Sequence, residues 1–366
     1  MYKKGLGTEK DYGKAFEWYK KSAEQGYARA QYYLGSMFEN GEFVNKDYKQ
    51  AIDLYCRSAE GGNAYAQQKL GWMYNFGFGV KKDYKKAIEF YKKAAEQGDE
   101  AAQFNLGLMF ESGEGVEQDF EKAIEWYEKA AKNGLAIAQL NLGSMYQNGE
   151  GVKQDYQKAF EWYGKAAKQG VPGAQFSLGF LYDNGLGVKQ DYRKAFEWYK
   201  KSAKQGDADA QYNIGNLYAN GQGVNRDYKK AFEWYEKASE QGGSFAQYNL
   251  GYLYQNGMGV KRNYEKAIEC YEKSAEQGVG VAAYNLGIMY INGMGVKKNF
   301  RKAKEWYERA AQQDVPEAQN ELAKCYFKGL GVRQDKRKAK EYFGLACDNG
   351  LQDGCDLYRY MNEGKI

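Results

Sequence analysis

Apolar and small residues recur along this chain with helical spacing, and the pattern itself recurs every 36 residues. Gly41, Gly77, Gly113, Gly149, Gly185, Gly221, Gly257, Gly293 and Gly329 keep that step without an insertion. A fixed period of this length marks a solenoid, in which each repeat buries its apolar face only by stacking on the next. Residues 135–170 show one repeat. Ala138, Leu142, Met145 and Tyr146 lie on one face and predict a first helix, helix A, which Asn148-Gly149 stops because both residues tolerate positive φ. Asp155 stands where an N-cap belongs, and a second helix, helix B, follows with Ala159, Phe160, Trp162, Tyr163 and Ala166 on one broad face, ending at Gly170. Both prolines, Pro172 and Pro316, fall where a first helical turn accepts proline. Glu161 and Lys165 form an i,i+4 acid–base pair of a kind that adds about 0.2–0.5 kcal/mol. The expected fold is all-α, a solenoid of helix–turn–helix repeats in one continuous array over residues 1–350. It has a partial first repeat at 1–26, nine full repeats over 27–350, and a capping helix and tail at 351–366.

Composition narrows the function classes. The 366 residues include 53 Lys+Arg against 48 Asp+Glu, so the charge of +5 does not point to nucleic acid. The absence of His removes imidazole triads and the usual zinc sites. No apolar run is long enough to span a membrane, and residues 1–20 show no apolar stretch of the signal-peptide kind. An aromatic content of 16% argues against disorder.

The recurring string A-Q-x-x-L-G-x-x-Y-x-x-G-x-G-V-x-x-D-Y-x-K-A-x-E-W-Y-x-K-A-A-x-x-G resembles the Sel-one-like repeat, a relative of the tetratricopeptide repeat. The resemblance covers nearly the whole chain. It implies an α/α right-handed superhelix and scaffold or adaptor work on proteins or peptides, with Gly143 and Ala159 at the close contact between helices A and B. The C-terminal stretch ACDNGLQDGCDLY resembles the disulfide-bridged repeats of the cysteine-rich Sel-one-like proteins of Gram-negative bacteria, which implies a Cys347–Cys355 bridge. Two reduced thiols in a cytosolic chain are the alternative. A bridge would place the protein in the periplasm or outside the cell, given a signal upstream in the native chain, whereas the sequence as it stands reads as cytoplasmic.

Other motifs have structural explanations. The NGxGV loops look like phosphate cradles, but no GxxxxGK[ST] is present and no predicted strand precedes them, so they read as turns. Asp47, Asp83 and Asp119 are a full repeat apart, too far to share an ion, and capping explains each. No metal or cofactor is expected. The Trp-Tyr pairs of helix B read as core, the Lys pairs as solvated surface, and Cys56, Cys270 and Cys325 as isolated thiols. The cysteine-rich relatives are associated with penicillin binding and β-lactamase activity. In this chain no Ser begins an S-x-x-K motif, so a non-enzymatic role leads.

The variable side of helix A is the candidate groove for a protein or peptide, by analogy with tetratricopeptide repeats. It offers the aromatics Tyr32, Trp72, Phe104, Phe176, Phe180, Tyr212, Tyr248, Tyr252 and Tyr284 beside a ladder of Asn105, Asn141, Asn213, Asn249 and Asn285. Rings can take ligand side chains and amides can pair with an extended backbone. Carbohydrate binding on the same rings is a further alternative, as is simple packing of the rings between adjacent helices A. A monomer with no nucleic-acid partner is expected. Truncating Tyr212 or Tyr252 should then weaken binding by about 1–3 kcal/mol, while truncating Trp198 should cost about 3–5 kcal/mol of stability. Met1-Tyr2 aligns with Met37-Phe38 inside a helix A, which leads to the expectation of a longer natural chain or a frayed first helix.

Overall fold

The computed structural model describes residues 10–365. Met1 and Tyr2, on which the expectation about the chain's opening rests, lie outside that range, while the first helix B lies within it as α1 Tyr12–Glu24. Among the described residues there are twenty α-helices and no strand. They divide into two compact modules: one runs to Leu181 and takes in Gly185–Lys189, and the other holds Tyr182–Asn184 and continues from Gln190. The first contains α1 Tyr12–Glu24, α2 Ala28–Asn40, α3 Tyr48–Glu60, α4 Ala64–Phe76, α5 Tyr84–Glu96, α6 Glu100–Ser112, α7 Phe120–Lys132, α8 Ala136–Asn148, α9 Tyr156–Lys168 and the body of α10 Pro172–Asn184. The second contains α11 Tyr192–Ala203, α12 Ala208–Asn220, α13 Tyr228–Glu240, α14 Ser244–Asn256, α15 Tyr264–Glu276, α16 Gly280–Asn292, α17 Phe300–Ala311, α18 Pro316–Lys328, α19 Lys336–Asp348 and α20 Gln352–Asn362. Odd-numbered helices are helix B and even-numbered ones helix A. Within each module every helix A packs on the helix B that follows it, as α6 does on α7 and α14 on α15.

Local signals set the ends of these helices. Each of the ten B helices is capped by an Asp or Asn whose side chain accepts a first-turn N–H; Asp155 takes that of Lys158 at 3.0 Å. Helices α2 to α18 on the A side all stop at a glycine in the left-handed region, Gly149 at φ 77° among them.

Where the helix A position facing helix B is glycine, the contact between the two helices of a repeat is closer than a side chain would allow; only the last repeat has Ala323 there, opposite Phe343. A Cβ at Gly107 would lie 2.5 Å from the Tyr127 ring, at Gly143 2.4 Å from Tyr163, and at Gly215 2.5 Å from Tyr235. The rings that fill these gaps, Tyr55, Tyr91, Tyr127, Tyr199, Tyr271 and Tyr307 among them, are fully buried. A second tie joins successive repeats. Buried Gln67 donates from Nε2 to the Ala59 carbonyl of the preceding helix B (3.1 Å), and its Oε1 accepts from Gln97 of the following one (2.7 Å). Gln103 and Gln139 repeat the arrangement in the first module, and Gln211 and Gln319 in the second. The amide thus adds a second bond to a carbonyl near the end of helix B that already accepts a turn N–H, that of Gly62 in the case of Ala59.

The Trp position differs from the sequence expectation. Trp198 is only half-buried, and Lys201 lies 3.7 Å over its ring; Trp126 and Trp162 carry Lys129 and Lys165 in the same way. The residue that fills the core is the next one, Tyr199. Helical register explains the shift: the Tyr side chain faces helix A, and the Trp one step back turns toward the rim. The acid–base pair expected at this site closes in α3, as Asp53–Arg57 at 2.9 Å, and in α15, as Glu269–Lys273 at 2.7 Å. Those two helices have Leu54 and Cys270 where others carry Trp. With Trp present, the cation settles on the ring face instead.

At the C-terminal end, α20 packs on α19 through Gly354, where a Cβ would come within 2.7 Å of Ala346, and a disulfide joins Cys347 to Cys355.

Two substitutions in helix interiors should move stability in opposite directions. Gly164→Ala meets open space and should stabilise by about 0.5–1 kcal/mol. Gly107→Ala gains the same propensity but must displace Tyr127, so overpacking of about 1–3 kcal/mol should leave a net loss. Urea unfolding of both variants checks this. By the same measurement Tyr199→Ala should cost about 3–5 kcal/mol, and Trp198→Ala clearly less, reversing the expectation from sequence.

Candidate functional site

In most repeats the buried Tyr of helix B carries its hydroxyl through to the variable side of helix A, where it finds a partner; an exception is the buried Tyr91 hydroxyl, which has none among the described residues. In the first module the Tyr55 hydroxyl donates to Glu39 (2.7 Å), and that of Tyr127 donates to Glu111. In the second, Tyr199 donates to Asp183 (3.1 Å), Tyr271 to Gln255 (2.7 Å) and Tyr235 to Asn216 (2.7 Å). Burial pushes all these phenols up, and Glu39, Glu111 and Asp183 push the same way on their own partners. The proposed Asn ladder meets the same hydroxyls from the next repeat. Asn141, Asn213, Asn249 and Asn285 hydrogen-bond to Tyr127, Tyr199, Tyr235 and Tyr271 and pull their pKa back down. Asn105 is half-buried at the equivalent place. In the remaining repeat of the first module Ser144 and Ser177 take this part, and the Tyr163 phenol is pushed up to about 12, chiefly by burial. Asn141, Asn213, Asn249 and Asn285 are therefore partly engaged inside the fold, which the sequence pattern could not reveal, because it gives no partner for them.

The aromatics divide into two sets. Tyr32, Phe104, Tyr212, Tyr248 and Tyr284 are half-buried and lie on the core Tyr of their own repeat, with ring centroids 5.5–6.0 Å apart. Phe176 and Phe180 are also half-buried. Tyr252, by contrast, is 45% exposed. Two rings that sequence reading did not select stand out further, Tyr65 at 61% and Phe245 at 57%. They occupy the same repeat position one turn before the half-buried set, and they lie beside Tyr32 and Tyr212 respectively. Trp72 stacks on Phe78 at 4.6 Å and touches Phe76, while Lys69 bridges its ring (4.7 Å) and Glu39 (2.7 Å). Phe78 and Phe76 belong to the loop after α4 and its last turn, another feature the helix-wheel reading passed over.

No group of three or more metal-ligating side chains occurs among the described residues. Burial pushes the Cys270 and Cys325 thiols to about 11, which leaves them poor nucleophiles. No helix among the described residues is long and apolar enough to cross a membrane.

Stacked helix pairs of fixed length, with a recurring core face and a variable helix A face, define an all-α repeat protein, a fold consistent with a protein-interaction scaffold. The chain belongs to the Sel1 repeat family: the Sel1 repeat matches residues 1–27, 28–63, 64–99, 100–135, 136–171, 172–207, 208–243, 244–279, 280–315 and 316–351. Among solved structures it is similar to c5321, a protective antigen of uropathogenic Escherichia coli strains displaying an SLR fold, with 36% identity, a TM-score of 0.77, and coverage of 100% of this chain and 86% of that one. It is also similar to a Sel1 repeat protein from Oxalobacter formigenes, with 30% identity, a TM-score of 0.69, and coverage of 85% and 90%. No curated protein sequence gives a match.

Reducing Cys347–Cys355 should loosen α20 from α19 and cost at most about 2–3 kcal/mol, since the enclosed loop is short. Hydrogen exchange of residues 352–362 with and without reductant measures this, and unchanged protection would contradict it.

Proposed function

We propose that this protein is a non-enzymatic scaffold that binds extended protein or peptide segments along the variable faces of its helices A. The observation that carries the reading is the set of rings on those faces that reach solvent: Tyr65 and Phe76, with half-buried Trp72 beside Phe76, in the first module, and Phe245 and Tyr252 in the second. Tyr65, Phe76, Phe245 and Tyr252 are each more than two-fifths exposed, and interface energy concentrates in such large side chains. Half-buried Tyr212, Tyr248, Tyr284, Tyr32, Phe104, Phe176 and Phe180 form the floor between them, together with the Asn ladder. The Cys347–Cys355 bridge supports an oxidising compartment, periplasmic or extracellular.

Crosslinking capture from the native cell with wild type and single variants tests this reading. Tyr252→Ala and Phe245→Ala should each weaken capture by about 1–3 kcal/mol with helicity unchanged. Tyr235→Ala should instead lower stability, because that ring fills the core. Capture that survives both ring truncations would refute the groove, and hydrolysis of nitrocefin above background would replace a scaffold by an enzyme.

A further inference from the structure

The second module breaks its own pattern at one place. The helix A position that supplies Asp183 and Gln255 to a buried Tyr hydroxyl, and Ile291 and Phe327 elsewhere, is Ala219 in α12. With no side chain there to receive it, the Tyr235 hydroxyl turns to Asn216, one turn earlier, at 2.7 Å. Asn249 of α14 donates from Nδ2 to the same Asn216 Oδ1 at 3.3 Å. The missing side chain leaves a cavity of about 300 Å³ whose lining includes Asn216, Ala219, Asn220, Tyr235, Asn249 and Tyr252.

The chemistry of this lining is specific. It contains no Asp, Glu, Lys or Arg. Asn216 Oδ1 already accepts two bonds and Asn249 Nδ2 is already donating, so what remains is the Asn216 Nδ2 donor and the Asn249 Oδ1 acceptor. A carboxamide matches that pair: its oxygen accepts from Asn216 and its nitrogen donates to Asn249. A carboxylate would face the Asn249 oxygen with no cation in the lining, and an ammonium would face the Asn216 donor and leave it unmatched. Tyr235 is 3% exposed and holds the floor, while the Tyr252 ring, 45% exposed, stands at the rim where an aliphatic stem would pass.

We infer that the cavity at Ala219 is a specificity pocket for a Gln or Asn side chain of an uncharged, extended peptide segment. The inference rests on the groove reading above and narrows it to one subsite.

The test uses the full chain and the peptide N-methylamide Ac-Ala-Ala-Gln-Ala-Ala-NHCH3, with Glu and Met analogues and methyl glucoside as comparison probes, followed by the side-chain amide NMR signals of Asn216 and Asn249. The Gln peptide should shift both signals saturably, and the Glu and Met peptides should bind about tenfold more weakly or worse. Ala219→Gln should abolish the response. Since Gln147 and Gln255 occupy this position in other repeats, that variant keeps a side chain the fold accommodates, and circular dichroism checks it. Equal binding of the three peptides, no binding, preferential binding of methyl glucoside, or an undiminished response in Ala219→Gln would each overturn the pocket. If Ala219→Gln leaves partner capture intact while Phe245→Ala weakens it, the pocket fails and the groove stands; if neither matters, both fail.

Discussion

The rest of the structure depends on one contact, a glycine of helix A against a buried tyrosine ring of helix B. Without a Cβ at Gly107 or Gly215 the helix backbones approach until the Cδ1–Cε1 edge of the ring lies against the glycine, and the ring then closes the core of its repeat. Because helix A is featureless at that point, the ring cannot be shortened without a cavity, nor the glycine enlarged without a clash. Each repeat is therefore pinned at the same separation, and a period without insertions follows.

The same ring also links packing to the variable surface. A phenylalanine would fill the core as well, and Phe343 does so in the last repeat. Tyr carries a hydroxyl to the far side of helix A, where a buried polar atom must find a partner. The carboxylates and amides at Glu39, Glu111, Asp183 and Gln255 answer that need, and so does the Asn of the following repeat. What resembles a free recognition ladder is thus half committed to the fold. Variation acts by changing which group answers the hydroxyl, and where Ala219 offers no acceptor Asn216 answers from one turn earlier and space opens beside it.

On the opposite rim, Lys and Arg of helix B choose between an acidic neighbour one turn back and the face of an indole. They take the indole wherever Trp stands and the carboxylate in α3 and α15, where it does not. The flat ring shields the cation's aliphatic stem while the charge stays hydrated, which a solvated carboxylate cannot match.

The sequence by itself determined the helices, their caps and their period. Asp155, Gly149 and the i, i+4 apolar spacing act within one turn of the chain, so their consequences can be read locally. It also marked the variable face of helix A and the paired cysteines. The tertiary structure decided which large residue of helix B is core, because one step of 100° separates Tyr199 from Trp198 and only the position of helix A breaks the tie. It decided equally that Tyr65 and Phe245 project while Tyr212 and Tyr248 lie down on the core, and that the amide of Gln67 ties three helices together. Each of these depends on what a neighbouring repeat places opposite, a relation between residues about 30 positions apart that no local pattern encodes.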